Sequence, residues 1–266
     1  ALNVASQADV IVAAVGESSE MSGESSSRTN LEMPDAQRDL LTALKKTGKP
    51  IVLVYFAGRS TVMTWEQENF PAILNVWFGG SEAADAICDV VFGDVSPSGK
   101  LTTTFPKNVG QIPLYYNHLN TGRPLEAGKW FYLDIDNDPL YPFGYGLSYT
   151  TFRYGDLQLS NNSMNEKGKI TASVTVTNTG NYDADEIVQM YIRDMVGSVA
   201  RPVKELKGFE RIHLKKGESR TVSFDITAEQ LKFYNSALNW VCEPGEFEVM
   251  VGGNSRDVQT KKFSLQ

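Results

Sequence analysis

The stretch GESSEMSGESSSRTNLEMP, Gly16 to Pro34, carries four carboxylates, Glu17, Glu20, Glu24 and Glu32, and the arginine Arg28. It leaves the end of a continuous apolar run, DVIVAAV. A loop longer than about 12–15 residues without structure of its own is usually functional or disordered. Phosphate cradling fits these residues poorly. The stretch has no G-x-G-x-x-G, no G-x-x-x-x-G-K-[ST] and no lysine, and its carboxylates would repel a phosphate. A nucleophilic serine fits no better, because neither GESSE nor GESSS makes the G-x-S-x-G elbow, and His118 and His213 are distant in sequence. A carboxyl group acting as proton donor suits them more closely. Lowered onto a substrate and partly desolvated, it would keep its proton toward working pH. Cleaving a glycosidic bond needs such an acid and a second carboxylate across the sugar. The residue types alone do not choose among the glutamates, and a solvated acidic loop is the plainer alternative.

A loop of this kind needs elements to carry it. With 266 residues, 41% of them hydrophobic, the chain can form a sizeable core, and its length is comfortable for two domains. Its net charge of -7, from 32 acidic against 25 basic side chains, argues against nucleic-acid binding. No run approaches the ~18–20 apolar residues of a membrane span. Cys88 and Cys242 lack metal-site spacing, and His118 and His213 are the only histidines, which argues against zinc; no metal and no cofactor is expected. The two cysteines fall in segments assigned to different domains, so no disulfide is expected. The first residues, ALNVASQADV, resemble neither a signal peptide nor a clear domain start, and read as a chain entered in the middle.

Residues 1–106 alternate buried strands with helices. VIVAAV (Val10–Val15), IVLVYFAG (Ile51–Gly58) and AILNVWFGG (Ala72–Gly80) are uninterrupted apolar runs, as in parallel strands covered on both faces. Between them, Pro34 suits a helix start, DAQRDLLTALKKTG places Leu40, Leu41 and Leu44 on one face, and Gly48 suits the stop. Ser81 is the expected N-cap of a further helix closing at Gly93. The βαβαβα order predicts an α/β layer with right-handed crossovers. Residues 107–151 are aromatic-rich and lack clear periodicity, so they read as a connection. From 152 to 266 the rhythm becomes short alternating strands, among them ITASVTVTNTG, EIVQMYIRD, SRTVSFDIT and GEFEVMVGG, which predict an antiparallel β-sandwich. In an open α/β sheet, ligands sit beyond the carboxyl ends of the strands. The Gly16–Pro34 loop, Gly58-Arg59-Ser60 and Gly79-Gly80-Ser81 all leave such ends.

Other residues read as structural. Trp77 lies near that cleft but suits a core role better than sugar stacking. Trp65 suits core or interface, and His118 a hydrogen bond within its loop. Asp134, Asp136 and Asp138 resemble the opening of a calcium loop but lack its Gly and distal Glu, so a turn is expected. PFGYGLSY should pack and turn the chain, its glycines serving positive φ or close approach.

The strings MSGESSSRT, LEMPDAQRDLLTALKKTGKPIVLV, VWFGGSEAADAICDVVFGDVSPSGKLTTTFP, YPFGYGLSYTTF, VTNTG, RPVKELKGFE and EPGEFEVMVGG together resemble glycoside hydrolase family 3, in its bacterial β-glucosidase branch. The resemblance covers nearly the whole chain. It implies an α/β sandwich with its N-terminal part missing, then a fibronectin type III-like domain. It also implies a preceding (α/β)8 barrel, absent here, which would supply an aspartate nucleophile and much of the sugar pocket. Trp130 could have met that barrel. The family's acid/base lies in a Glu-x-x-x-Arg segment, which Glu24 and Arg28 match. Glu24 is then the expected catalytic acid/base, and Arg28, its charge partner or a holder of the loop, is expected with Glu17 on the substrate-binding side of the site. Glu17 would bind sugar hydroxyls or backbone amides, and Glu32 would favour the following helix dipole. The implied activity is retaining, exo-acting hydrolysis of terminal β-D-glucosyl residues, with β-xylosides as the alternative substrate. The implied location is the periplasm or the cell exterior. The chain alone is expected to be inactive without the nucleophile. The rival class is a non-catalytic carbohydrate-binding or interaction module.

Overall fold

The computed structural model describes residues 1–120 and 132–266, and the chain divides into two compact units. The units interleave along the sequence instead of meeting at residues 106 and 152. The first holds Ala1–Asp94, Thr104–Leu114 and Asp138–Tyr141, and the second holds Val95–Thr103, Tyr115–Asn137 where described, and Pro142–Gln266.

In the first unit the order is α1 (Leu2–Ala5), β1 (Ile11–Gly16), α2 (Asp35–Lys45), β2 (Ile51–Phe56), α3 (Thr64–Asn69), β3 (Ala72–Asn75) and α4 (Ala83–Phe92). The strands form a parallel sheet in the order β1-β2-β3, with Ile11 opposite Ile51 and Val52 opposite Ala72. The βαβαβα alternation is therefore present. Its details differ from the sequence reading at four places. Leu41 and Leu44 are buried, but Leu40, one position round the helix, is exposed. Helix α4 begins after Glu82, which caps without a side-chain bond, so Ser81 is not the cap; Gly93 does close it in the left-handed region. Strand β3 ends at Asn75, because Val76 makes the last ladder bond to Tyr55 and Trp77 then turns to φ 51°. Finally, β1 is not covered on both faces. Helix α2 packs on it from one side, but Val10 and Val12 stay about half exposed, and α4 buries none of its residues.

The second unit contains β4 (Phe152–Tyr154), β5 (Gln158–Leu159), β6 (Ser163–Met164), β7 (Lys169–Asn178), β8 (Ala184–Asp194), β9 (Glu205–Leu214), β10 (Ser219–Thr227), α5 (Ala228–Leu231), β11 (Phe233–Tyr234), β12 (Trp240–Val241), β13 (Gly245–Gly252) and β14 (Val258–Leu265). One sheet runs β10-β7-β4 with β5 also on β7, and the other runs β6-β14-β13-β8-β9. Pairing is antiparallel except between β14 and β6. Alternation in β7 works as the period-two pattern requires: Ile170, Ala172, Val174 and Val176 point into a core shared with Val188, Met190, Val249 and Phe263. Two distant strings join here. Leu101 donates to the Tyr145 carbonyl at 2.8 Å and Gly144 to that of Leu101 at 2.7 Å, so GKL and FGYG form one element. A side chain at Gly146 would lie 2.5 Å from the Gly99 oxygen, which accounts for that glycine by close approach. Lys100 reaches the buried Glu186 at 3.2 Å, and the Tyr154 hydroxyl donates to the same carboxylate at 2.8 Å.

Candidate active site

All three parallel strands end in loops that come together. Gly16 closes β1 at φ 132°, and a Cβ there would sit 1.9 Å from the Phe56 oxygen. Only glycine fits so close to a neighbouring strand. The Gln37 side chain grips the same residue twice: its Oε1 accepts the Gly16 N–H at 2.6 Å and its Nε2 donates to the Gly16 carbonyl at 2.8 Å. Just beyond β2, the missing side chain of Gly58 makes room for Ser22 of the loop, whose Oγ would be 1.9 Å from a Cβ. Phe78, beyond β3, closes on the same spot at 2.9 Å and remains half exposed.

Glu17 is the buried centre of this arrangement. Its side chain has no exposed surface. Arg28 donates to its Oε1 at 2.9 Å, Arg59 approaches the same oxygen at 3.1 Å, and the Gly58 N–H donates to Oε2 at 3.2 Å. Its partners are thus two guanidinium groups and one backbone amide. Arg28 pairs with Glu17 and not with Glu24, and it also donates to the Glu32 carbonyl at 3.1 Å. These contacts join residue 17 to residue 32 across the loop. Glu32 faces Arg38 at 2.8 Å, and the Arg38 guanidinium lies over the Trp65 ring at 5.0 Å.

Glu24 stands apart. It is exposed, lies between Gly23 at φ 135° and Ser25 at φ 63°, and has no hydrogen-bond or ion-pair partner among the described residues. Glu20 is likewise exposed. What separates the two is Arg59, whose Nη2 donates to the Met21 carbonyl at 2.5 Å and to the Ser26 carbonyl at 2.8 Å, on either side of Glu24. Behind the loop, burial raises the Tyr55 hydroxyl above its ordinary value, and the charges of Glu66 and Glu17 add to this. Burial also raises Glu66, whose carboxylate oxygens have no hydrogen-bond partner among the described residues, while the Arg38 charge opposes the shift. A hollow of about 250 Å³ at the end of β1 is lined by Glu17, Ser18, Gln37 and their neighbours, and Glu24 is not among its walls.

The sequence reading missed Arg59 and Gln37. Arg59 was visible only as part of a strand-end loop, although a lone cation opposite an acidic loop was a usable signal. Gln37 carries no signal in one sequence. Trp77 is half-buried against Phe105, centroids 5.9 Å apart. Trp65 meets Phe70 edge-on at 5.4 Å. His118 contacts the Leu119 carbonyl at 3.2 Å, and Asp134, Asp136 and Asp138 lie in irregular chain. Trp130 lies outside the described residues. Cys88 and Cys242 are free, and no described helix is long and apolar enough to cross a membrane.

Residues 1–149 match the model of the glycosyl hydrolase family 3 C-terminal domain. The chain belongs to glycosyl hydrolase family 3. A fibronectin type III-like domain matches residues 186–255 of this family 3 chain, within the β-sandwich. The chain is 54% identical over its full length to a periplasmic beta-glucosidase of Salmonella typhimurium, covering 35% of that protein. It is 46% identical, again over its full length, to a beta-xylosidase of Formosa agariphila, covering 36% of it. Among solved structures, a beta-glucosidase from Listeria innocua in complex with isofagomine superposes with a TM-score of 0.91 at 41% identity, over 97% of this chain and 37% of that one. The family 3 chain thus spans about a third of the length of the relatives it matches.

Proposed function

We propose that this chain supplies the general acid/base, Glu24, to a retaining, exo-acting β-glucosidase whose nucleophile lies on an (α/β)8 barrel outside residues 1–266. An aspartate of the barrel attacks the anomeric carbon while the Glu24 carboxyl gives its proton to the departing oxygen. In the second step the Glu24 carboxylate takes a proton from the water that releases the sugar. Retention requires the two carboxyls to face each other at about 5–5.5 Å. The observation that carries this reading is the position of Glu24, exposed and unpaired at the strand tips, between two backbone oxygens gripped by Arg59. The uncovered face of β1 supports a longer protein in which further chain packs over that face. The Salmonella relative supports a periplasmic or extracellular location and a β-glucoside substrate, and the Formosa relative favours β-xylosides as the second possibility.

The test is Glu24→Gln in the intact enzyme. Hydrolysis of alkyl glucosides, whose leaving groups need a proton, should fall about 10²- to 10⁴-fold. Turnover of an activated dinitrophenyl glucoside should persist and rise with added azide. Unchanged kinetics on both substrates would remove Glu24 from the mechanism.

A further inference from the structure

We propose that Arg59 is the positioning residue for Glu24, so that the end of β2, and not the strand from which the loop departs, sets where the acid/base carboxyl stands. The proposal rests on the reading of Glu24 as acid/base. One guanidinium closes the hexapeptide Met21–Ser26 into a ring, because Nη2 binds the carbonyls of both end residues, at 2.5 and 2.8 Å. The Arg59 Nε faces Glu17 at 3.1 Å, so the planar fork is held at its base while its tip holds the loop.

That base is rigid. Glu17 has no exposed side-chain surface, takes the Gly58 N–H next to Arg59 in the chain, and is paired again by Arg28, which grips the loop's far side at the Glu32 carbonyl. Ser25 is held at φ 63°, a conformation that a non-glycine residue keeps only where its surroundings impose it. The Arg59 grip spans that residue. Removing Arg59 leaves Glu17 with Arg28 and the Gly58 amide, so the buried charge stays compensated. The Met21 and Ser26 carbonyls pass to water, and the Glu24 segment loses its tie to the sheet. A carboxyl displaced by an ångström costs acid catalysis without touching the nucleophile's step on substrates that need no proton.

The experiment measures kcat/KM of the intact enzyme against leaving-group pKa for wild type, Arg59→Ala, Arg59→Lys and Glu24→Gln, with melting temperatures in parallel. Arg59→Ala should lose about 10²-fold on alkyl glucosides and less than about threefold on the dinitrophenyl glucoside, with azide raising turnover of the latter. Arg59→Lys has a single nitrogen, and an ammonium kept facing Glu17 cannot also bridge both carbonyls, so it should give the same leaving-group dependence with an unchanged melting temperature. A merely structural role lowers both substrates equally, as the folded fraction falls. A leaving-group profile of Arg59→Lys that matches wild type overturns the proposal, as does an equal loss on both substrates. If Glu24→Gln shows the leaving-group signature and Arg59→Lys does not, only the Arg59 proposal fails. If Glu24→Gln lacks the signature, the acid/base reading itself fails.

Discussion

Replacing Glu17 by glutamine keeps the side chain's shape while removing a negative charge from a position with no exposed surface. The partners lose a charge-assisted contact at 2.9 Å from Arg28 and another at 3.1 Å from Arg59. Breaking a buried ion pair by removing one member costs about 3–5 kcal/mol when the other charge stays buried. Arg28 and Arg59 keep 19% and 23% of their side-chain surface exposed, so water recovers part of that cost. Glutamine also retains one oxygen that can accept the Gly58 N–H. The expected loss is therefore about 2–3 kcal/mol, or roughly 30- to 150-fold in an opening equilibrium. Native-state hydrogen exchange reads this directly. Amides of Leu53 and Tyr55, buried in β2, should lose protection by that factor, while those of Val174 and Val249 in the sandwich should keep theirs. Glu20→Gln, at an exposed position in the same loop, should leave all four unchanged. A loss below about threefold in β2, or an equal loss in β2 and the sandwich, would refute the claim that Glu17 is the local post of the loop.

Two further outcomes follow from buried polar groups. Burial raises the Glu66 carboxyl above its ordinary 4.5, so its favourable contribution is fully present below 4.5 and is lost as pH rises through the raised folded value. Glu66→Gln should flatten that decline and raise the melting temperature at pH values above 4.5; an unchanged pH profile would contradict it. Asn178 donates to the Tyr182 and Leu214 carbonyls at 2.7 and 3.0 Å and accepts from the Thr150 hydroxyl at 2.6 Å, all without exposure of its own. Asn178→Ala should cost the sandwich about 2–3 kcal/mol in urea unfolding, and a loss under about 0.5 would show those groups satisfied elsewhere.

Much of this architecture was legible in one sequence because it rests on local periodicity. The βαβαβα order and the alternating strand Lys169–Asn178 both emerge from apolar spacing, which reports which face of an element is buried. Glu24 was also singled out, but by its Glu-x-x-x-Arg segment and not by physics, since four glutamates in one polar loop are chemically alike. Tertiary structure separated them. Glu17 is enclosed because Arg28 and Gly58-Arg59, 11 and 41 to 42 positions away, converge on it, and Glu32 is drawn to Arg38. Likewise, Gly99–Leu101 and Phe143–Gly146 became one element only when folding brought their backbones together. Residue order determined which segments could be strands, helices and loops. Which carboxylate was neutralised and which was left free depended on long-range ion pairs, because a charge is compensated by whatever lies within a few ångströms in space, and spacing along the chain does not record that distance.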